Sequence, residues 1–253
     1  GRGNRRIERH GSRRRGKSDN REFLPAIQHC HRLAMGTFSL NSNRSRVSAL
    51  CLALLIQSGG AFAGIYDDLL KAIEDDNTQE VTVILQRGMD VNTVDKSGNT
   101  LLMLAVQKGN AELVRFLLTH RARVNARNQY GDTPVLLAAL KGHSEIIKLL
   151  VAAGGEINPS GWTPLIYAAF EGHEDVIEFL ISKGAEINAV APNQATALMV
   201  ASKNGYLGTV KLLLKAEAYT DIKTSEGATA LKWATEGGHA QIVELLKEAG
   251  AEQ

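Results

Sequence analysis

Three histidines recur at equivalent places in this chain, and histidine is the side chain that most often binds metals or transfers protons near neutral pH. His143, His173 and His239 each follow a glycine directly. A metal site would require these side chains to converge, yet the repeat pattern described below places them in separate units that stand side by side. Both cysteines, Cys30 and Cys51, lie outside those units. We therefore expect a structural role for the histidines, with no metal and no other cofactor.

The acidic residues near these histidines also lack the setting of a catalytic pair. Glu145, Glu174 and Asp175 stand at the start of predicted helices, where the positive end of the helix dipole favours a carboxylate. The sequence contains no glycine-rich phosphate loop, no nucleophile elbow and no H-E-x-x-H motif. We accordingly predict that the protein is not an enzyme.

Five threonines mark a repeat through the last three quarters of the chain. Spacings of 33, 30, 33 and 33 residues separate Thr100, Thr133, Thr163, Thr196 and Thr229. Counting from each threonine, an aliphatic residue stands at +2, alanine at +5 and glycine at +9, and a degenerate earlier copy covers residues 64–96. Such a period indicates a protein built of stacked repeats.

Each repeat predicts two short helices. The threonine is a good N-cap, and Pro134 and Pro164 follow it at the first helical position, where a missing N–H does no harm. The glycine at +9 separates the two helices. The second helix carries paired aliphatic residues, as in ELVRFLL and EIIKLLV, at the spacing of one buried face. Glycines follow the second helix where a left-handed residue is expected: Gly88, Gly154, Gly184 and Gly250.

The segments GDTPVLLAALKGH and GWTPLIYAAFEGH, with GAEIN closing a unit, resemble the ankyrin repeat family, whose pattern is G-x-T-P-L-H-x-A-A-x-x-G-H. The resemblance covers residues 64–253. It implies an all-α solenoid of stacked helix-turn-helix units with projecting finger turns, which binds other proteins along its concave face. The units, numbered 1 to 6 below, are expected at 64–96, 97–129, 130–159, 160–192, 193–225 and 226–253.

Some positions depart from the family pattern. The histidine of T-P-L-H is replaced in every unit, by Met103, Leu136, Ile166, Met199 and Lys232. Arg121 and Glu217 stand where glycine ends the second helix of units 2 and 5, and Gln194 replaces a turn glycine. A non-glycine residue held in the left-handed region costs about 1–2 kcal/mol. We expect these replacements to weaken units 2 and 5 without changing the fold.

The charge of the chain is divided between its two parts. Residues 1–63 hold 12 Lys or Arg against 3 Asp or Glu, whereas residues 64–253 hold 17 against 24. Binding to nucleic acid requires clustered basic residues, so an acidic repeat domain argues against it. We expect a protein partner, no nucleic acid and a monomeric repeat domain.

The segment before the repeats predicts export. Met35 is a plausible start, Arg44 and Arg46 form a charged region, and the apolar run 47–56 is too short to span a membrane. Ala61-Phe62-Ala63 is an A-x-A cleavage site directly before Gly64. Residues 35–63 are thus predicted to be a cleavable signal peptide, which leaves no stable membrane anchor and a periplasmic or secreted product. An uncleaved anchor is the alternative.

Residues 1–34 form a basic leader with several possible roles. They are disordered or lie upstream of the true start, or RRIERHGSRRRGK is a nuclear-localisation or nucleic-acid-binding arm. A twin-arginine export signal is a further alternative.

The residues that the scaffold does not need are candidates for partner binding. On the finger tips and first helices of units 3 and 4 these are Tyr130, Asp132, Leu140, Lys141, Trp162, Phe170 and Glu171. If exposed, the three aromatic rings would form a binding hot spot. Alternatively, the rings pack against neighbouring fingers and only stabilise the stack.

The single 30-residue spacing falls in the same region. GGEINPSGWT lacks three residues that GAEINAVAPNQAT has, and the gap lies between Asn158 and Ser160. A shortened finger would open a notch beside Trp162. A neutral deletion is the alternative, since exposed loop tips tolerate deletions.

Three classes of function follow. The first is an exported, non-catalytic protein-binding module, with an immunity-like inhibitor of a secreted enzyme as a variant. The second is a cytosolic or host-directed adaptor, if the leader is not a signal. The third, a binder of metals or small ligands, is disfavoured because the sequence predicts no polar cleft.

Overall fold

The structure, a computed structural model, describes residues 64–251. The predicted leader, the signal peptide and the cleavage-site residues Ala61 and Ala63 lie outside the described residues, and Gly64 is the first residue described. Two short helices occur in each unit. They are α1 (64–74), α2 (Thr78–Gln86), α3 (Leu101–Lys108), α4 (Ala111–Thr119), α5 (Pro134–Lys141), α6 (Ser144–Ala152), α7 (Pro164–Glu171), α8 (Glu174–Ser182), α9 (Ala197–Asn204), α10 (Leu207–Lys215), α11 (Ala230–Gly237) and α12 (Ala240–Glu248).

The repeating threonine begins the first helix of units 2 to 6, as predicted. In each case its side chain accepts a hydrogen bond from the backbone N–H three residues on. This bond satisfies one of the N–H groups that a helix start leaves unpaired. Pro134 and Pro164 occupy the first helical position.

Left-handed residues end the helices at the predicted places. The glycine at +9 caps each first helix with φ between 70° and 81°, and Asp76 takes this place in unit 1 with φ 57°. After the second helices, glycine has positive φ in four units, while Arg121 (φ 65°) and Glu217 (φ 62°) adopt the same conformation in the other two. Gln194 is likewise left-handed, with φ 63°. The three predicted strained positions are therefore confirmed.

The helices form two layers. Successive odd-numbered helices from α3 to α11 pack against one another, and so do successive even-numbered helices from α2 to α12. The aliphatic residue at +2 and the alanine at +5 are at most 3% exposed in units 2 to 6, so they form the core between the layers. Because alanine is small, the two helices of a unit can approach closely.

Fingers connect the units. We number each finger by the unit whose first helix follows it: finger 2 is 87–100, finger 3 is 120–133, finger 4 is 153–163, finger 5 is 183–196 and finger 6 is 216–229. Finger 4 is therefore three residues shorter than the others. No described helix is long and apolar enough to cross a membrane.

Candidate interaction surface

Four of the fingers end in a closed turn, which we call a tip. The tips are Asp95–Asn99, Asn128–Asp132, Ala191–Ala195 and Thr224–Ala228, and in each the first N–H donates to the last carbonyl at 2.9–3.1 Å. Neighbouring tips are also joined, because Gln129 N donates to Ser97 O (3.1 Å) and Ser225 N donates to Asn193 O (3.2 Å). Within the described chain, finger 4 has no such turn. The predicted short finger is thus a finger without a tip.

The bases of the fingers continue without interruption past this point. Asn92 Oδ1 accepts from Arg123 N, and Asn125 Oδ1 accepts from Glu156 N, both at 2.9 Å. The ladder continues from Asn158 Oδ1 to Glu186 N (2.9 Å) and from Asn188 Oδ1 to Tyr219 N (2.8 Å). The deletion therefore removes only the tip of finger 4 and leaves its base in register.

The missing tip leaves an opening next to Gly131. A Cβ added to Gly98 would lie 3.3 Å from Gln129 N in the next tip, and one added to Gly161 would lie 3.9 Å from Pro192 Cγ. A Cβ added to the equivalent Gly131 would meet no described atom within 4 Å. We call this opening, between the tip of finger 3 and finger 4, the slot.

In fingers 4 and 5, proline occupies the position from which other tips donate to their neighbours. Gln129 and Ser225 donate from the fourth residue before the repeating threonine, and Pro159 and Pro192 stand at that position in fingers 4 and 5. Proline has no N–H. The hydrogen bonds between tips therefore cannot continue through finger 4.

Trp162 belongs to finger 4, which bounds the slot, and is partly exposed. Its ring packs against Tyr167 of α7, with 5.8 Å between the ring centroids and planes tilted by 42°. Tyr167 itself is buried, as expected from its place on the first helix. Trp162 is therefore anchored on one side and accessible on the other, a setting intermediate between the two that the sequence predicted.

The other predicted residues fall into two groups. Tyr130 is 46% exposed, Lys141 is exposed, and Phe170 and Glu171 are partly exposed. Asp132 and Leu140 were expected to be accessible, and this is wrong, because they are 7% and 8% exposed.

Both corrections have a physical cause. Asp132 Oδ2 accepts a hydrogen bond from Asn128 Nδ2 (3.2 Å), and Asn128 Nδ2 also donates to Asn99 Oδ1 (2.9 Å), so Asp132 holds the tip closed. Leu140 is the last of seven consecutive buried residues in α5, Pro134–Leu140, and α5 packs between α3 and α7. Neither side chain is placed to contact a partner.

One contact beside the slot was not predicted. Arg127 Nη2 donates to Glu156 Oε2 (3.3 Å) and Nη1 donates to Gly131 O (3.4 Å), so its guanidinium reaches from finger 3 to finger 4. The same register holds the aliphatic residues Val94 and Val190 in fingers 2 and 5, but it holds Lys223 in finger 6. The sequence pattern alone therefore did not single out Arg127.

The histidines join one unit to the next. A Cβ on Gly142 would lie 2.6 Å from His173 Nδ1, and His173 Nε2 donates to Leu140 O (3.1 Å). His239 repeats this arrangement on Gly205, with Nε2 donating to Lys203 O at 3.0 Å. The predicted structural role is confirmed for these two residues. Among the described residues, no group of three or more His, Cys, Asp or Glu is arranged to hold a metal ion.

His143 occupies the same place over Gly109 but is less well satisfied. Its Nε2 is buried and makes no hydrogen bond. Burial lowers the pKa of His143, and the charges of Lys141 and His173 lower it further. The backbone of Gln107 lies near enough to oppose this shift without completing a hydrogen bond.

Lys203 and Trp233 form a second cationic contact on the first helices of units 5 and 6. Lys203 Nζ lies 5.0 Å from the Trp233 ring centroid. Burial lowers the pKa of Lys203, while Glu236 and Glu226 oppose that shift. Trp233 is only 8% exposed, in keeping with the packing role that its position predicts.

The fold and these contacts define a solenoid of helix pairs joined by fingers, and comparison with family models identifies it. Models described as ankyrin repeats match residues 120–191 and 188–253 (three copies) and residues 84–138 (many copies). The chain belongs to the ankyrin repeat family. No curated protein matches it. Ankyrin repeats indicate a protein–protein interaction module.

Proposed function

We propose that this chain is an exported, non-catalytic module that binds one protein partner through the fingers and first helices of units 3 and 4. The observation that carries the location is the interrupted row of tips beside Trp162. A partner can contact this surface without any change in the helical layers, because the finger bases stay in register on both sides of the slot.

The accessible part of the predicted patch supports this location. Tyr130, Lys141, Trp162, Phe170 and Glu171 combine aromatic rings with charges of both signs, the composition typical of interface hot spots and their rims. Trp162 is already held in place by Tyr167. Its ring loses little conformational freedom on binding, which favours affinity.

A non-catalytic role is supported by the use of the polar repeat residues. The threonines cap helices, and His173 and His239 bond to the backbone of the preceding unit. These groups already make hydrogen bonds within the scaffold, which leaves them poorly placed to act on a substrate.

Export to the periplasm or the exterior rests on the sequence before Gly64. The charged region, the short apolar run and the A-x-A site are the three parts of a secretory signal. N-terminal sequencing of the mature protein from its own cell should begin at Gly64. An intact leader on the mature protein would contradict export and favour an intracellular adaptor.

Site-specific photocrosslinking in the native compartment tests the binding surface. A crosslinking amino acid at Tyr130 or Lys141 should give one partner adduct. The matched control is Glu178, which is also exposed but lies on α8 in the other helical layer. An adduct at position 178 without one at 130 or 141 would place the interface elsewhere.

A further inference from the structure

The slot has a definite origin in the sequence. Finger 5 continues from Asn188 as AVAPNQAT, whereas finger 4 continues from Asn158 as PSGWT. Finger 4 is therefore finger 5 without the equivalents of Ala189, Val190 and Ala191. The space left by those three residues opens on Gly131, and Trp162 follows four residues after Asn158 in the same finger.

The walls of the slot do not complete the hydrogen bonds that join other tips. Pro159 has no N–H, so finger 4 donates nothing where Gln129 and Ser225 donate in fingers 3 and 6, and Pro192 leaves finger 5 without this donor as well. These two prolines therefore cannot donate a backbone hydrogen bond to a segment that lies next to them. Recognition in the slot is left to side chains and to backbone carbonyls.

The charged group at the rim is Arg127, and its present contacts are weak. It lies 3.3 Å from Glu156 and 3.4 Å from the Gly131 carbonyl, and both charged side chains are about half exposed, at 48% and 46%. A pair of this kind adds little to stability, because water screens it. An incoming carboxylate can therefore compete with Glu156 for the guanidinium, which binds carboxylates through two parallel hydrogen bonds.

The charges of finger 3 favour the binding of an acidic partner segment. Finger 3 carries three exposed arginines, Arg121, Arg123 and Arg127, against one acidic residue, Asp132, which is buried in the tip. Lys96 on the neighbouring tip and Lys141 at the end of α5 are exposed as well. Glu156 of finger 4 and Glu171 of α7 are the opposing charges. The partner's carboxylate displaces Glu156 from Arg127.

We propose that the slot receives a loop of the partner that carries an Asp or Glu next to an apolar side chain. The carboxylate binds Arg127, and the apolar side chain fills the space of the missing tip against the exposed side of Trp162. This deepens the proposed function and rests on it, since it names the kind of segment that the binding surface recognises.

Selection of peptides on the full chain tests this directly. A displayed library of random 12-residue peptides is selected on the immobilised protein, and enriched peptides are synthesised and their affinities measured. We expect enriched sequences to carry Asp or Glu within about three residues of an aliphatic or aromatic residue. Enrichment of peptides without acidic residues, or of no peptide, would overturn the proposal.

Four variants then locate the binding of an enriched peptide. Insertion of Ala-Val-Ala after Asn158 gives finger 4 the length of finger 5 and should weaken binding at least about tenfold, as should Arg127→Gln. Glu156→Gln should leave binding equal or tighter, because it frees Arg127. Arg115→Gln is the matched control, since Arg115 pairs with Glu145 between the same two units but on the second helices.

The outcomes separate the slot from the wider surface. Unchanged affinity after the insertion, in a variant whose denaturation midpoint equals that of the native protein, would overturn the slot. Equal weakening by Glu156→Gln and Arg127→Gln would show that the ion pair acts as a brace, which also overturns it. In either case, crosslinking at Tyr130 or Lys141 would still support the proposed function. The absence of crosslinking at both positions would contradict the proposed function and the slot together.

Discussion

The helical layers and the row of fingers repeat with one period, but only the helical layers are uninterrupted. The odd-numbered helices pack in an unbroken series from α3 to α11, straight past the short finger. The row of tips is broken there, and prolines at two positions prevent it from rejoining. The layers therefore carry the stability of the stack, while the tips are free to vary and so can carry recognition.

The two tryptophans allow the sharpest test of this division. Trp233 is 8% exposed in the helical layer, so Trp233→Ala should cost about 3–5 kcal/mol of unfolding free energy. Trp162 is partly exposed in the finger row, so Trp162→Ala should cost clearly less while weakening partner binding by about 2 kcal/mol or more. Urea denaturation and an affinity measurement on both variants check this. Equal destabilisation by the two changes would mean that the Trp162 ring is a structural part of the stack.

Two glycines with similar backbone angles allow the helical layer to be compared with a finger at its edge. Gly142 has φ 70° and faces the His173 ring, which is held by its bond to Leu140 O. Gly154 has φ 89° and faces no described atom within 4 Å. Gly154→Ala should cost about 1 kcal/mol from backbone strain alone, and Gly142→Ala about 3 kcal/mol, because a ring must also move. Equal denaturation midpoints for the two variants would show that the His173 ring moves aside at little cost.

Relief of strain should work in the opposite direction. Glu217 holds a left-handed conformation where four other units have glycine, so Glu217→Gly should stabilise the protein by about 1 kcal/mol. The same strain predicts that backbone amides of unit 5 exchange with solvent faster than those of units 3 and 4. Hydrogen exchange before and after the substitution measures both effects. Uniform protection of units 2 to 6 in the native protein would contradict this prediction.

The smallest predicted effect is a pH dependence at His143. Its pKa is lowered in the folded protein, so the unfolded chain binds the proton more readily, and stability is lost as pH falls below about 6.5 toward the folded value. His143→Asn introduces the residue that caps the second helix of unit 2, where Asn110 accepts from Leu113 N. This variant should lose less stability than the native protein between about pH 7.5 and about pH 5.5. A parallel loss in both proteins would assign the pH dependence to other groups.

Most of the helical architecture could be predicted because its residues act locally. A threonine that caps, a proline at the first helical position and a glycine at +9 each fix a helix end within a few residues. Even the strain at Arg121, Gln194 and Glu217 followed from register alone, since any residue at those places must take a left-handed conformation.

The binding surface was harder to predict from the sequence, because the exposure of a side chain depends on its neighbours in other units. Asp132 has the sequence of an exposed finger residue, yet its carboxylate closes the tip with Asn128. Leu140 occupies a variable helix position, but the packing of α5 between α3 and α7 buries it. Arg127 pairs with Glu156 across two fingers, and a single sequence does not show which charges meet.

One measurement tests the central claim most directly, that the interrupted row of tips is where this protein binds. Hydrogen exchange of the full chain is compared with and without the crosslinked partner or an enriched peptide. The account predicts new protection at Asn128–Asp132 and in residues 155–163, with the amides of α6 and α8 unchanged. New protection confined to α6, α8 and the other second helices would contradict it.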